Sequence, residues 1–255
     1  MAHLRTEKHS MLCSIIIVCK NNLADVERTL SSVRADKDFT VSCECIIVDD
    51  SYNDEIERYI NDINLDNVSF YNGDKKSLYT AMNIGIQKSS GKYVWFLNSG
   101  DTRYPSFEMI KLNNLHADII YGNTKYLRNN IVVSEQSWPS FHLSVYKQLR
   151  NALPCHQSIL FRREFLKNNG IEYSTELYIS GDYYFIRNCV DKKASIYYLP
   201  EFVSEFTLGG ISNKYTSIKM LLLHAHELRI TRSLSWLEYV YLTLKLCKKL
   251  VFKKR

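Results

Sequence analysis

Four acidic residues stand where side chains could do chemistry. Asp101 comes directly after the apolar run Tyr93 to Leu97 and the turn Asn98-Ser99-Gly100. Asp49 and Asp50 close a second apolar run, Cys45 to Val48, and Asp182 follows Ser180-Gly181 at the head of a periodic segment. A carboxylate is a hard oxygen ligand for a divalent cation, and it can accept a proton from a reacting group. Each position also has a plainer use. Asp is a common turn residue after a strand, and Ser180-Gly181-Asp182 can cap a helix over Tyr183 to Cys189. His156 lies beside Cys155, which raises the question of a thiol–imidazole pair, but neighbours in an extended segment point to opposite faces. His224 and His226, two apart on an expected helix, also fall on different faces.

The elements that must carry these groups alternate strand and helix. Ser14 to Cys19, Cys45 to Val48, Val68 to Tyr71 and Tyr93 to Leu97 are short, β-branched or aromatic runs, the pattern of strands buried on both faces. Between them, Leu23 to Val33, the segment after Asp54, and Leu78 to Ser89 space their apolar residues at helical intervals. This alternation predicts parallel strands joined by right-handed crossovers, so Asp49, Asp50 and Asp101 end on one side of the sheet and can converge on one ligand. The chain has no G-x-G-x-x-G after its first strand and no G-x-x-x-x-G-K-[ST]. A nucleotide site built this way needs another means of holding diphosphate, and a divalent cation on Asp101, Mn2+ or Mg2+, would supply it. Further on, Ile119 to Tyr121 and Ser158 to Phe161 read as strands, with a loop rich in Tyr and Trp between them.

Composition bounds the class. A chain of 255 residues with 45% hydrophobic content can bury a sizeable core. Seven scattered cysteines without paired CxxC spacing read as buried thiols of a reducing compartment, and no apolar run approaches the roughly 18 residues of a membrane span. The expectation is a cytoplasmic chain. The net charge of +6 comes from 33 basic and 27 acidic residues, and six of the basic ones lie between Lys245 and Arg255. Without those six the body is neutral, which argues against a nucleic-acid partner.

The ordered blocks Ser14-Ile-Ile-Ile-Val18, Ile46-Ile-Val-Asp-Asp50, Ala81-Met-Asn-Ile-Gly-Ile86 and Trp95-Phe-Leu-Asn-Ser-Gly-Asp101 resemble the nucleotide-sugar-binding half of family-2 glycosyltransferases with the GT-A fold. Pro154-Cys-His-Gln157, Ser180-Gly-Asp-Tyr183 and Val203 to Ser212 are similar to the bacterial subgroup that builds colanic acid and O-antigen repeat units. The resemblance runs from about Leu12 to Asn213. It implies an α/β, Rossmann-like mixed sheet flanked by helices. The implied domain spans 11–213, with a nucleotide-sugar half (11–101) and an acceptor half (102–213), and a helical, basic C-terminal extension follows (214–255).

The same resemblance assigns roles by position. It implies donor contacts at Asp49, Asp50, Asn83 and Asp101, with Asp101 as the metal ligand and Asp182 as the catalytic base. His156, Gln157, Gly209 and Gly210 fall near the donor sugar and acceptor. Three places depart from the family pattern: Asn98 opens the metal-binding motif, Thr80 stands where an acid is usual, and Ser51-Tyr52 follows the paired acids where Gly-Ser is common. The implied activity is inverting transfer from a nucleoside-diphosphate sugar to a lipid-diphosphate-linked saccharide, for exopolysaccharide biosynthesis at the inner face of the membrane. Two other classes share parts of the pattern. A sugar-nucleotide pyrophosphorylase needs a Gly-rich phosphate loop that Lys20-Asn21-Asn22 does not provide. A catalytically inactive, membrane-associated partner of an assembly complex is compatible with Asn98 and Thr80.

The extension adds one more expectation. Trp236, Leu237, Val240, Leu244, Cys247 and Val251 recur at helical spacing, flanked by Lys245, Lys248 and Lys249 and closed by Lys253-Lys254-Arg255. Such a helix suits a membrane interface with anionic headgroups; the same stripe can equally pack on the domain.

Overall fold

The computed structural model describes residues 11–137, 139, 153–209, 218–231, 236, 239 and 240. Its centre is a sheet that begins with four parallel strands: β1 (Cys13–Cys19), β2 (Cys43–Asp49), β3 (Val68–Asn72) and β4 (Tyr93–Phe96). Beyond β4 the pairing changes. β5 (Thr102–Arg103), β6 (Ile119–Arg128), β7 (Ile131–Gln136), β8 (Ile159–Arg162) and β9 (Ile196–Thr207) extend the sheet in the order β3-β2-β1-β4-β8-β6-β9-β5, with β7 paired to β6. β8 runs antiparallel to both β4 and β6, while β9 is parallel to β6. The sheet is therefore mixed, and parallel strands with crossovers describe only its first half.

Helices cover both faces, which is why the parallel strands read as unbroken apolar runs. β1 shows the division residue by residue. Cys13, Ile15, Ile17 and Cys19 join one core with Val26, Leu30 and Val33 of α1 (Leu23–Arg34). Ile56 and Ile60 of α3 (Glu55–Ile63) complete that side, and the four-residue turn α2 (Phe39–Ser42) leads into β2. Ile16 and Val18 face the other core, with Tyr79, Ala81 and Met82 of α4 (Leu78–Lys88). Phe165 and Leu166 of α5 (Arg163–Asn168) and Phe185, Ile186 and Cys189 of α6 (Gly181–Asp191) belong to that second core. Each buried Ile of β1 contributes roughly 1.5–3 kcal/mol. Ser77 caps α4 by accepting a hydrogen bond from the Thr80 amide at 3.1 Å.

Three expectations are corrected. The segment between Ile119 and Phe161 contains a β6–β7 hairpin, turned by Asn129 and Asn130 at φ 51° and 62°. β9 was not foreseen. α6 starts at Gly181 and runs to Asp191, so Asp182 sits inside its first turn and Ser180 occupies the cap position. A last described helix, α7 (Ile218–Ile230), buries Ala225, Glu227 and Leu228. No helix among the described residues is long and apolar enough to cross a membrane. The stripe from Leu237 to Val251 falls almost wholly outside the described residues.

Candidate active site

The carboxyl ends of β1, β2 and β4 are sewn together by short polar contacts. Asn21, at φ 52°, donates its amide to Ser51 Oγ at 2.6 Å. Asn22 Nδ2 reaches Ser99 Oγ at 2.7 Å, joining the turn after β1 to the turn after β4. Asp49 is buried, its Oδ1 accepting from the Ser51 amide and hydroxyl at 2.9 and 2.5 Å. Asp50 Oδ1 accepts from the Lys75 amide at 3.1 Å, and burial raises its carboxyl above the ordinary value against that bond. The loop after β3 passes so close that a Cβ on Gly73 would lie 1.8 Å from Asp50 Oδ1. At the rim, Tyr52 is 74% exposed, with the ammonium groups of Lys20 and Lys75 at 5.4 and 5.0 Å from its ring centre.

Asp101 is held by its backbone and one side-chain bond. Its amide donates to Asn98 O at 3.0 Å, its carbonyl accepts from Thr29 Oγ1 at 2.7 Å, and its Oδ1 accepts from the Thr207 amide at 2.9 Å. Gly100, at φ 98°, makes the turn that allows this, and Arg28 and Thr207 both donate to its carbonyl. Burial pushes the Asp101 carboxyl up to about 7, while the Thr207 N–H and the Arg28 charge pull it back. Asn98 Oδ1 is buried without a hydrogen-bond partner. These are oxygen donors suited to a hard divalent cation. Among the described residues no three His, Cys, Asp or Glu side chains gather for a metal. Asp101 and Asn98 would thus offer a carboxylate and an amide oxygen to such a cation.

The second half supplies the opposite wall. His156 and Gln157 lie on the 3-10 turn His156–Ser158, anchored by Trp95 Nε1 donating to Gln157 O at 2.8 Å. Cys155 Sγ bonds Gln157 Oε1 at 3.0 Å and takes no part in an imidazole pair; its thiol is pushed up to about 12, chiefly by burial and then by the charge of Asp101. His156 Nε2 meets the Tyr173 hydroxyl, and the ring stacks on Phe96 with centroids 5.1 Å apart. Burial lowers the His156 imidazole and raises the Tyr173 phenol, so both are neutral near pH 7, and the Asp182 charge acts on each. His156 Nδ1 and Asp182 Oδ1 are both buried atoms without partners. The charge of Asp101 acts on Cys155 and that of Asp182 on His156, so the 155–157 turn feels both carboxylates.

The remaining expected residues divide. Asn83 spends its amide on Tyr173, donating to its carbonyl at 2.9 Å and accepting from its N–H at 2.8 Å, and so steadies the Tyr173–His156 pair. Thr80 Oγ1 is 2.9 Å from Ser77 Oγ. Gly209, at φ 134°, has open space around its Cβ position, and Gly210 lies outside the described residues. Sequence reasoning missed Asn21, Asn22, Ser51 and Ser99, whose signal was only their place in turns after the strands. It also missed Tyr173 and Glu227, which carry no motif.

A mixed sheet with helices on both faces of its parallel half, and carboxylates where those strands end, defines an α/β protein with a ligand site at the strand ends. The chain belongs to glycosyltransferase family 2, whose model matches residues 14–170. Uncharacterized glycosyltransferases of Mycobacterium tuberculosis strains CDC 1551 and H37Rv are each 32% identical over 88 residues, 34% of this chain and 33% of theirs. The match thus spans about a third of the length of those relatives. Staphylococcus aureus TarS 1–349 in complex with UDP-GlcNAc aligns with a TM-score of 0.66 at 17% identity, covering 93% of this chain and 72% of that one. The UDP complex gives 0.64 at 18%, covering 93% and 71%. These likenesses establish the GT-A fold.

Proposed function

We propose that this chain is an inverting glycosyltransferase that moves a sugar from a nucleoside-diphosphate sugar to an acceptor hydroxyl. The observation that carries the reading is the placement of two carboxylates: Asp101, buried in the turn after β4 and held by the Thr207 amide, and Asp182, in the first turn of α6 with a buried oxygen that has no hydrogen-bond partner. Asp49 and Asp50 would contact the base and ribose, and Asp101 with Asn98 Oδ1 would hold a divalent cation. That cation, when bound, offsets charge developing on the leaving diphosphate. Asp182 takes the proton of the acceptor hydroxyl, whose oxygen attacks the anomeric carbon from the face opposite the diphosphate as that carbon–oxygen bond breaks. Neutral His156 offers Nδ1 to a sugar hydroxyl.

UDP sugars are the first donors to test, because the similar TarS structures hold UDP and UDP-GlcNAc. The acceptor class we favour is a lipid-diphosphate-linked saccharide of surface polysaccharide assembly, reached at the inner membrane surface through the basic C-terminal segment. The direct experiment measures UDP and GDP released from a panel of nucleotide sugars, with manganese, magnesium or chelator. Release from one donor that Asp49→Ala and Asp101→Ala both abolish supports the reading. Absence of both binding and turnover across the panel refutes it.

A further inference from the structure

We infer that Glu227, on α7, is a positioning residue for Asp182, an inference that rests on the base role proposed above. Glu227 is 3% exposed, and its carboxylate takes four hydrogen bonds from three consecutive backbone amides. Oε1 accepts from Tyr178 at 2.7 Å and Ile179 at 3.3 Å; Oε2 accepts from Ile179 at 3.0 Å and Ser180 at 2.7 Å. Successive N–H groups turned to one point form an anion cradle, and here a side chain of the same chain fills it from 47 residues away.

The cradle lies at the start of α6, where unpaired amides and the helix dipole both favour a negative charge. Ser180, the residue at the cap position, makes no side-chain cap bond, and its Oγ is buried without a partner. Glu227 instead takes the amide of the cap residue itself and those of the two residues before it. The next amide, Gly181 N–H, donates to the Tyr79 hydroxyl of α4 at 3.1 Å, and a Cβ on Gly181 would press within 2.2 Å of that ring. Four amides in a row, 178 to 181, are thus held from two sides by α7 and α4, and Asp182 is the next residue. A carboxylate in the first turn of a helix points where the start of that helix points. Glu227 therefore sets the aim of the Asp182 oxygen toward the acceptor without touching the acceptor itself.

The test uses the full chain with Glu227→Gln, Asp182→Asn and the double variant. Glu227→Asp, which keeps the charge on a side chain one methylene shorter, serves if the Gln variant fails to fold. Hydrogen exchange at Tyr178, Ile179 and Ser180, which needs no substrate, should quicken about tenfold or more in Glu227→Gln while the strands stay protected. With UDP-GlcNAc and manganese, kcat for UDP release should fall about ten- to a hundredfold with KM within about twofold. The double variant should be no slower than Asp182→Asn, because two residues that act through one group are not additive. Unchanged exchange, a wild-type kcat, or equal losses in the native and Asp182→Asn backgrounds each overturns the inference. Asp182→Asn with wild-type kcat overturns the base role itself, and is read from a different variant.

Discussion

Replacing Asp101 by Asn should change how stability depends on pH, and the structure gives the size. The Asp101 carboxyl moves from its ordinary 3.8 to about 7 on burial. A carboxyl raised in the folded state keeps its proton there after the unfolded chain has lost it, so stability falls as pH rises between the two values and is level above them. At roughly 1.4 kcal/mol per pH unit, about 4 kcal/mol is lost over the whole window and about 3 kcal/mol between pH 5 and pH 8. Asn carries no proton to lose, while its Oδ1 can still accept from the Thr207 amide. Thermal melts in chelator should therefore show Asp101→Asn gaining roughly 6–12 °C on the native protein between pH 5 and pH 8, at 2–4 °C per kcal/mol for a chain of this size. Adding manganese and UDP at pH 8 should return about 2–3 kcal/mol to the native protein at a hundredfold excess over Kd, and nothing to the variant. Parallel pH profiles for the two proteins would refute the argument, because they would mean that Asp101 is ionised at low pH whatever its burial.

Four further outcomes are expected. Gly73→Ala should displace Asp50, since the new Cβ would stand 1.8 Å from its Oδ1; calorimetry should show UDP binding weakened at least tenfold, and unchanged binding would remove Asp50 from the donor site. Asp182→Asn should lower transfer by about two to four orders of magnitude with donor affinity intact, the range for loss of a general base. Asn98→Asp adds a charge where a buried oxygen lacks a partner, and manganese titration should show equal or tighter binding. A chain ending near Ser233 should sediment less with anionic vesicles than the whole chain, and the difference should vanish in high salt.

What could be read from the sequence follows the physics of each half. β1, β2 and β4 lie between two helical layers, so apolar runs announced them, and α1 and α3 showed their apolar stripes. Asp49, Asp50 and Asp101 followed from where those strands stop. In the second half, β6 and β8 were announced by the buried runs Ile119 to Tyr121 and Ser158 to Phe161, whereas β7 and β9, only partly covered, were not. β7 is exposed along nearly its whole length, with Ile131 at 67%, and β9 carries Pro200 and alternates irregularly between exposed and buried positions. Neither has the continuous apolar run of a central strand. Glu227 was invisible for another reason: a Glu on an amphipathic helix reads as a solvated face, and only the fold brings it to the amides of Tyr178 to Ser180. Asn83 stood out in a motif, yet its amide is spent on Tyr173, a partner 90 residues away.

β4 has a consequence for how such an enzyme can be altered. Its residues Tyr93, Val94 and Trp95 pair in parallel with Cys13, Ser14 and Ile15 of β1, and antiparallel with Arg162, Phe161 and Leu160 of β8. One strand is thus the seam of both halves, and its ladder bonds on the two edges come from chain segments about 150 residues apart. A hybrid made by exchanging halves at the 101–102 boundary would set β4 of one protein against β8 of another, so the side chains packed across that seam would no longer match. Exchange of whole halves between relatives is therefore a poor route to new specificity. Grafts should instead carry the turns at the strand ends, such as 155–157, and leave the strands in place.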